Sequence, residues 1–171
     1  MTNYFVEQEY IDAKAQRKRT LTAYLVIAVL YLVSSIAMVV YFTTLPYKSP
    51  TIGTVKFIHY AVSVVFVVFS VIYLGIVFRR VNRYYKLTLN LNTGLRETSI
   101  GSFFEYDEHI QDKDGVDCKA LIFIEWNKYK KDFYERKVLV FHEKPFPELK
   151  EKQTVKYVTQ GNVLISYEIQ E

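Results

Sequence analysis

From Thr20 to Tyr47, and again from Phe57 to Phe78, the sequence carries no Asp, Glu, Lys or Arg. At 1.5 Å per helical residue, each run is long enough to cross a hydrocarbon core of about 30 Å. The pattern predicts a membrane α-helical hairpin of two transmembrane helices over residues 20–78, with an external turn at 46–55. Pro46, Pro50 and Gly53 are turn residues there. After Arg83 the period of apolar positions falls to two. Tyr85, Leu87, Leu89 and Leu91 alternate with Tyr84, Lys86, Thr88 and Asn90, which predicts a half-buried strand. Further strands are predicted around Leu95–Tyr106, a mixed stretch with Gly101 as a bulge or bend, and over Cys118–Trp126, Phe133–His142, Val155–Thr159 and Val163–Ile169. Asp114-Gly115 and Gln160-Gly161-Asn162 supply hairpin turns.

About six strands with short turns predict a small all-β domain over residues 84–171. An OB or SH3-like barrel is favoured, and a PH-like α+β sheet is the alternative. The order of a few spans followed by a small barrel resembles the NfeD type of membrane protein in architecture, without a residue motif to carry the likeness further. Residues 1–19 predict a short helix with acids early (Glu7, Glu9, Asp12) and bases late (Lys14 to Arg19), an order that suits the helix dipole. They read as a cytoplasmic anchor. Ser35-Ile36-Ala37 resembles a signal-peptide cleavage site, but the apolar run continues past it to Phe42, so the first span is expected to be retained.

Polar positions inside the spans share a helical face. His59, Ser63, Phe66, Ser70 and Tyr73 do so in the second, and Tyr24, Ala28, Tyr31 and Ser35 in the first. Hydrocarbon offers these groups no partner, so the two faces are expected to meet. The intramembrane pairing set is Tyr24, Tyr31, Ser35, His59, Ser63, Ser70 and Tyr73, and equal depth would bring Tyr31 to Ser70 and Tyr41 to His59. No acid lies in either span, so an ion path has little to be built from, and the GxxxG helix-pairing pattern is absent.

Charge fixes direction. Lys14, Arg17, Lys18 and Arg19 precede the first span, Arg79, Arg80, Arg83 and Lys86 follow the second, and the turn holds only Lys48 and Lys56. Both termini are therefore expected in the cytoplasm, with the chain in the plasma (cell) membrane. Of 22 basic and 18 acidic residues, nine basic and three acidic lie before Tyr84. The tail is thus slightly acidic, which disfavours a nucleic-acid partner. Its densest basic patch interleaves aromatics: Trp126, Lys128, Tyr129, Lys130, Lys131, Tyr134, Arg136 and Lys137 are candidates for contact with a protein partner or the membrane surface.

Chemistry-bearing motifs do not emerge. The acidic stretch Glu105–Asp117 fails the calcium-loop pattern, because, counting Asp112 as position one, the glycine falls at position four and Phe123 stands at twelve, where the closing Glu belongs. His109 with Cys118 is too small a ligand set for zinc, and the phase of Cys118 places it in a core. No catalytic set, cofactor site or metal site is assigned. The expected function is a membrane-anchored adaptor or accessory protein that presents its β-domain at the inner membrane surface, its partners being the lipid bilayer and a protein or, as a homo-oligomer, further copies of itself. The alternative is a subunit of a transport or channel assembly, and a third class is an enzyme with an unrecognised site.

Overall fold

The computed structural model describes every residue from 1 to 171 except Tyr47, Lys128, Lys130 and Glu171. The chain forms two compact units: a helical unit, Ala15–Asn82, and a β unit assembled from Met1–Lys14 together with Arg83–Glu171.

Helix α1 runs from Glu7 to Thr44 and α2 from Thr51 to Ile72. A π-helical segment, Tyr73–Phe78, leads directly into α3, Arg79–Thr93. Two helices, Glu7–Thr44 and Thr51–Thr93, are long and apolar enough to cross a membrane, and the most apolar stretch of each is unburied within the chain. Half-buried side chains recur every three or four residues on one face of each helix. Tyr24, Ala28, Tyr31, Ser35, Met38 and Phe42 form the α1 face; Val55, His59, Ser63, Phe66, Ser70 and Tyr73 form the α2 face. This narrow stripe is the seam of an antiparallel coiled pair.

The strand expected over Tyr84–Leu91 is instead part of α3. No Gly or Pro separates Phe78 from Gly94, so nothing ends the helix that leaves the second apolar run. The buried residues are Leu87, Thr88 and Leu91, a helical spacing rather than an alternating one. The Thr88 hydroxyl bonds the carbonyls of Tyr84 and Tyr85, one turn back. Gly94, which ends the helix, donates its N–H to the Asn90 carbonyl at 2.7 Å.

Strands β1 (Thr2–Asn3), β2 (Glu97–Lys113), β3 (Val116–Asn127), β4 (Asp132–Phe141), β5 (Thr154–Gln160) and β6 (Val163–Ile169) form one sheet. Strands β2, β3 and β4 make an antiparallel meander; β5 pairs with the free edge of β2, and β6 with β5. A parallel contact, Leu139 opposite Val163, joins β4 to β6 and closes a five-stranded barrel. Strand β1 is the additional strand, paired with β6 at Tyr167 and Ser166. The Asp114-Gly115 turn has positive φ at both residues, 55° and 81°, as a tight two-residue hairpin needs. Gly101 is not the bulge, which falls between Phe103 and Glu105. A Cβ on Gly101 would lie 3.1 Å from Glu125 Cγ and 3.2 Å from Phe123 Cβ, so the glycine serves close approach to side chains of the neighbouring strand β3.

Alternation sorts the barrel's side chains. Phe103, Leu121, Phe123, Val138, Val140, Val155, Tyr157 and Leu164 fill the interior. The β4–β5 connector adds Leu149 and is held by Tyr106, whose hydroxyl accepts the Leu149 N–H at 2.8 Å and donates to the Pro147 carbonyl at 2.9 Å. A second core lies on the outer wall, where Leu87 and Leu91 of α3 and Phe5 pack on Cys118, Phe141, Val158, Val163 and Ile165. Each such side chain contributes roughly 1.5–3 kcal/mol by burial. The first residues of the chain are therefore part of the β unit. Tyr4 and Phe5 donate backbone N–H groups to the Ile165 carbonyl, Lys144 pairs with Glu9, and the Lys144 ammonium lies 4.9 Å from the Tyr4 ring centre.

Candidate functional site

The β3–β4 hairpin carries the most exposed aromatics of the β unit. Trp126 and Phe133 stand opposite each other in register, with rings edge to face at 4.9 Å. They are 51% and 66% exposed, and Tyr129, at the tip, is 99% exposed. The tip is fixed by its own backbone: Lys131 N–H donates to the Asn127 carbonyl, and Tyr129 N–H to Asn127 Oδ1, both at 2.9 Å. Lys131 takes a positive φ of 52° there. Lys128 and Lys130 of the expected contact set lie outside the described residues.

Three other members of that set belong to ion pairs or hydrogen bonds within the barrel. Arg136 points into one end of the barrel with 11% of its side chain exposed. It donates to Glu97 Oε2 at 2.7 Å and Ser99 Oγ at 2.8 Å, and lies 3.6 Å from Glu125 Oε1. Glu125, 7% exposed, accepts the hydroxyls of Tyr134 and of fully buried Tyr157. Lys137 pairs with Asp107 at 3.0 Å. Strand phase explains this layer. Glu125 follows Leu121 and Phe123 in the inward positions of β3, and Tyr134 and Arg136 precede Val138 and Val140 in those of β4.

The electrostatics of the layer are those of a closed network. Burial, then the bond to Glu125, pushes the Tyr157 hydroxyl well above the ordinary tyrosine value. The Glu125 hydrogen bond does the same for Tyr134. Burial alone would lower the Arg136 pKa, but the Glu97 bond, with Tyr157 and Glu125 beside it, raises it overall. That same bond holds the Glu97 carboxyl below its usual value. Both phenols thus keep their protons near neutrality, and the arginine its charge. Cys118 is wholly buried, and burial, then Asp117, pushes its thiol up to about 11. His109 lies within the β2 irregularity between Asp107 and Gln111. Among the described residues, no three of His, Cys, Asp and Glu gather as a metal site.

In the helical unit the polar seam is internally bonded. Tyr31 donates to Ser63 Oγ at 2.9 Å, and Ser63 donates to the His59 carbonyl at 2.8 Å. Tyr24 donates to Ser70 Oγ at 3.3 Å, and Ser70 to the Phe66 carbonyl at 2.8 Å. Tyr73 donates to the Thr20 carbonyl at 3.0 Å, and Tyr31 stacks on Phe66 at 4.0 Å. Tyr31 thus meets Ser63 rather than Ser70, and Tyr41 is 53% exposed, outside the seam. The register follows from the turn: with α1 ending at Thr44 and α2 starting at Thr51, levels are counted from that short connection and not from the centres of the apolar runs. Ser35 and His59 lie on the half-buried faces, His59 at the wall of a small cleft near the turn.

Comparison of the chain with protein-family models, curated proteins and solved structures gave no match.

Proposed function

We propose that the chain is a two-pass membrane protein of adaptor or accessory type, whose OB-type barrel lies in the cytoplasm of the cell and binds a protein partner through the β3–β4 hairpin. The strand order supports the OB reading. A three-strand meander, a fifth strand parallel to the third, and a fourth between the fifth and the first is the OB arrangement, counted from β2. Membrane insertion is supported by apolar helix surfaces that have no protein to cover them. An even number of crossings is supported by the composition of the β unit, because Met1–Lys14 and Arg83–Glu171 fold together and so belong on one side of a bilayer. The basic flanks support the cytoplasm as that side.

The observation that carries the partner reading is the location of the exposed aromatics. The second segment of the β unit begins within α3 at Arg83, whose side chain lies over Gly115 in the β2–β3 turn. The Trp126–Phe133 pair is at the other end of β3, a 12-residue strand about 35 Å long. The pair stands with Tyr129 as one exposed aromatic surface at the opposite end of the β unit from Arg83, which supports a contact with a protein. Exposed Trp and Tyr with neighbouring cations are also the side chains that anchor protein interfaces. Tyr24, Tyr31, Ser63, Ser70 and Tyr73 of the helical seam are hydrogen-bonded within the hairpin, which supports the adaptor reading over the transport or channel alternative.

The test is recovery of partners after mild detergent extraction, comparing three baits: the full chain, the Trp126→Ala/Phe133→Ala variant, and a chain whose residues 15–82 are replaced by an unrelated two-span hairpin. A soluble protein held by the first and third and lost from the second is expected. One that follows the native hairpin instead would overturn the adaptor reading in favour of the subunit one.

A further inference from the structure

Between Ala15 and Asn82 the sequence contains no Asp or Glu, so the helical unit has no carboxylate of its own to match its cations. One of them, Lys56, borders a cleft of about 150 Å³ beside the α1–α2 turn. Met38 and Phe42 of α1 and Val55 and Tyr60 of α2 make its walls, and His59 lies one turn farther from the helix start than Lys56. The Lys56 ammonium sits 5.2 Å from the centre of the Phe42 ring, held over the cleft wall by a cation–π contact. The site therefore joins an apolar trough to a cation at its rim.

We propose that the cleft is a phospholipid site, with an acyl chain lying along Met38, Phe42, Val55 and Tyr60 and the phosphate meeting the ammonium of Lys56. This rests on the reading that the hairpin spans a bilayer. Charge complementarity selects the occupant. An uncharged lipid would satisfy the trough and leave the cation unmatched, and inorganic phosphate would satisfy the cation and leave the trough bare. A protein partner would have to bring both an apolar anchor and an acid into the plane of the headgroups. His59 supplies a further polar group to the glycerol or phosphate oxygens, in keeping with an ionisable side chain near the end of a span.

The test uses the full chain in nanodiscs, released into mild detergent, with retained lipid counted by native mass spectrometry. Phosphatidylglycerol, phosphatidylcholine and diacylglycerol are offered separately. Phosphatidylglycerol should be retained most, phosphatidylcholine less, and diacylglycerol not at all. Lys56→Gln should reduce phosphatidylglycerol retention about fivefold, the effect of one cation near an anionic surface. Lys56→Arg should keep it, and Met38→Trp should block it with the charge intact. Equal retention of diacylglycerol and phosphatidylglycerol, or a Lys56→Gln chain that holds lipid as the parent does, would overturn the proposal. Resistance of the chain to alkaline extraction from membranes is measured in parallel. If it resists extraction but shows no head-group preference, the lipid site fails and the membrane reading stands. If it is extracted, the membrane reading itself fails.

Discussion

The two units use the same side chains, tyrosine above all, to opposite ends. In the helical unit Tyr24 and Tyr31 bond serines across a seam, and the apolar surface around them faces outward. In the β unit Tyr157 bonds Glu125 inside the barrel, and the apolar surface faces inward. What differs is the alternative open to each hydroxyl when its partner is removed. If the helices span a bilayer as proposed, a seam tyrosine can seek a neighbouring carbonyl, and the separated helices find partners too, so the bond has a modest net value. A tyrosine closed inside the barrel leaves a buried carboxylate short of a donor. Comparable bonds in the two units should therefore carry unequal weight.

Breaking the barrel's ion network should have the largest effect. Arg136→Leu leaves Glu125 facing Tyr134 and Tyr157 without a cation, and is expected to destabilise the β unit by about 3–5 kcal/mol. Denaturant unfolding followed through Trp126, the single tryptophan, reads this directly. Phe5→Ala comes next, at about 3 kcal/mol, because it opens the outer core against Ile165 and Val163. An unchanged midpoint would mean that the N-terminal segment is only laid on the barrel. Tyr157→Phe should cost about 2 kcal/mol, whereas the matching deletion in the seam, Tyr31→Phe, should cost only about 0.6 kcal/mol. A Tyr31→Phe/Ser63→Ala cycle in bilayer or detergent measures that second value, and equal effects in the two units would remove the contrast.

The smallest effect is in pH. Glu97 has its pKa lowered by Arg136, so its contribution is fully present above the ordinary value of 4.5 and is lost as pH falls through the lower folded value. The Glu97 side chain is 65% exposed, which limits this to a few tenths of a kcal/mol, about the median for surface pairs. Glu97→Gln should lower neutral stability by that amount and flatten the acid limb of the profile, the two chains converging at low pH.

The apolar runs and the strands from Cys118 onward were legible because period and length agree there. Residues 84–91 were not, because Tyr85, Leu87, Leu89 and Leu91 satisfy an alternating pattern while Leu87, Thr88 and Leu91 satisfy a helical one. Only the uninterrupted helix before them decides between the two. The barrel's charged layer left a readable signal in Glu125 and Arg136, which stand in the inward phase of otherwise apolar strands. Composition hid it by grouping Arg136 and Lys137 with the lysines of the hairpin tip as one basic patch. The pairing of Thr2 and Asn3 with β6 left none, since two polar residues carry no period and their partner is at the other end of the chain.

That last pairing sets an order of events. Strand β1 has no place to bind until β6, Val163–Ile169, has been made. Thr2 and Asn3 must therefore wait, unpaired, through synthesis of the helical unit and of the other strands of the barrel. The pairing most distant along the chain closes the fold, and a bulky fusion ahead of Met1 would interfere with the last step of assembly rather than the first.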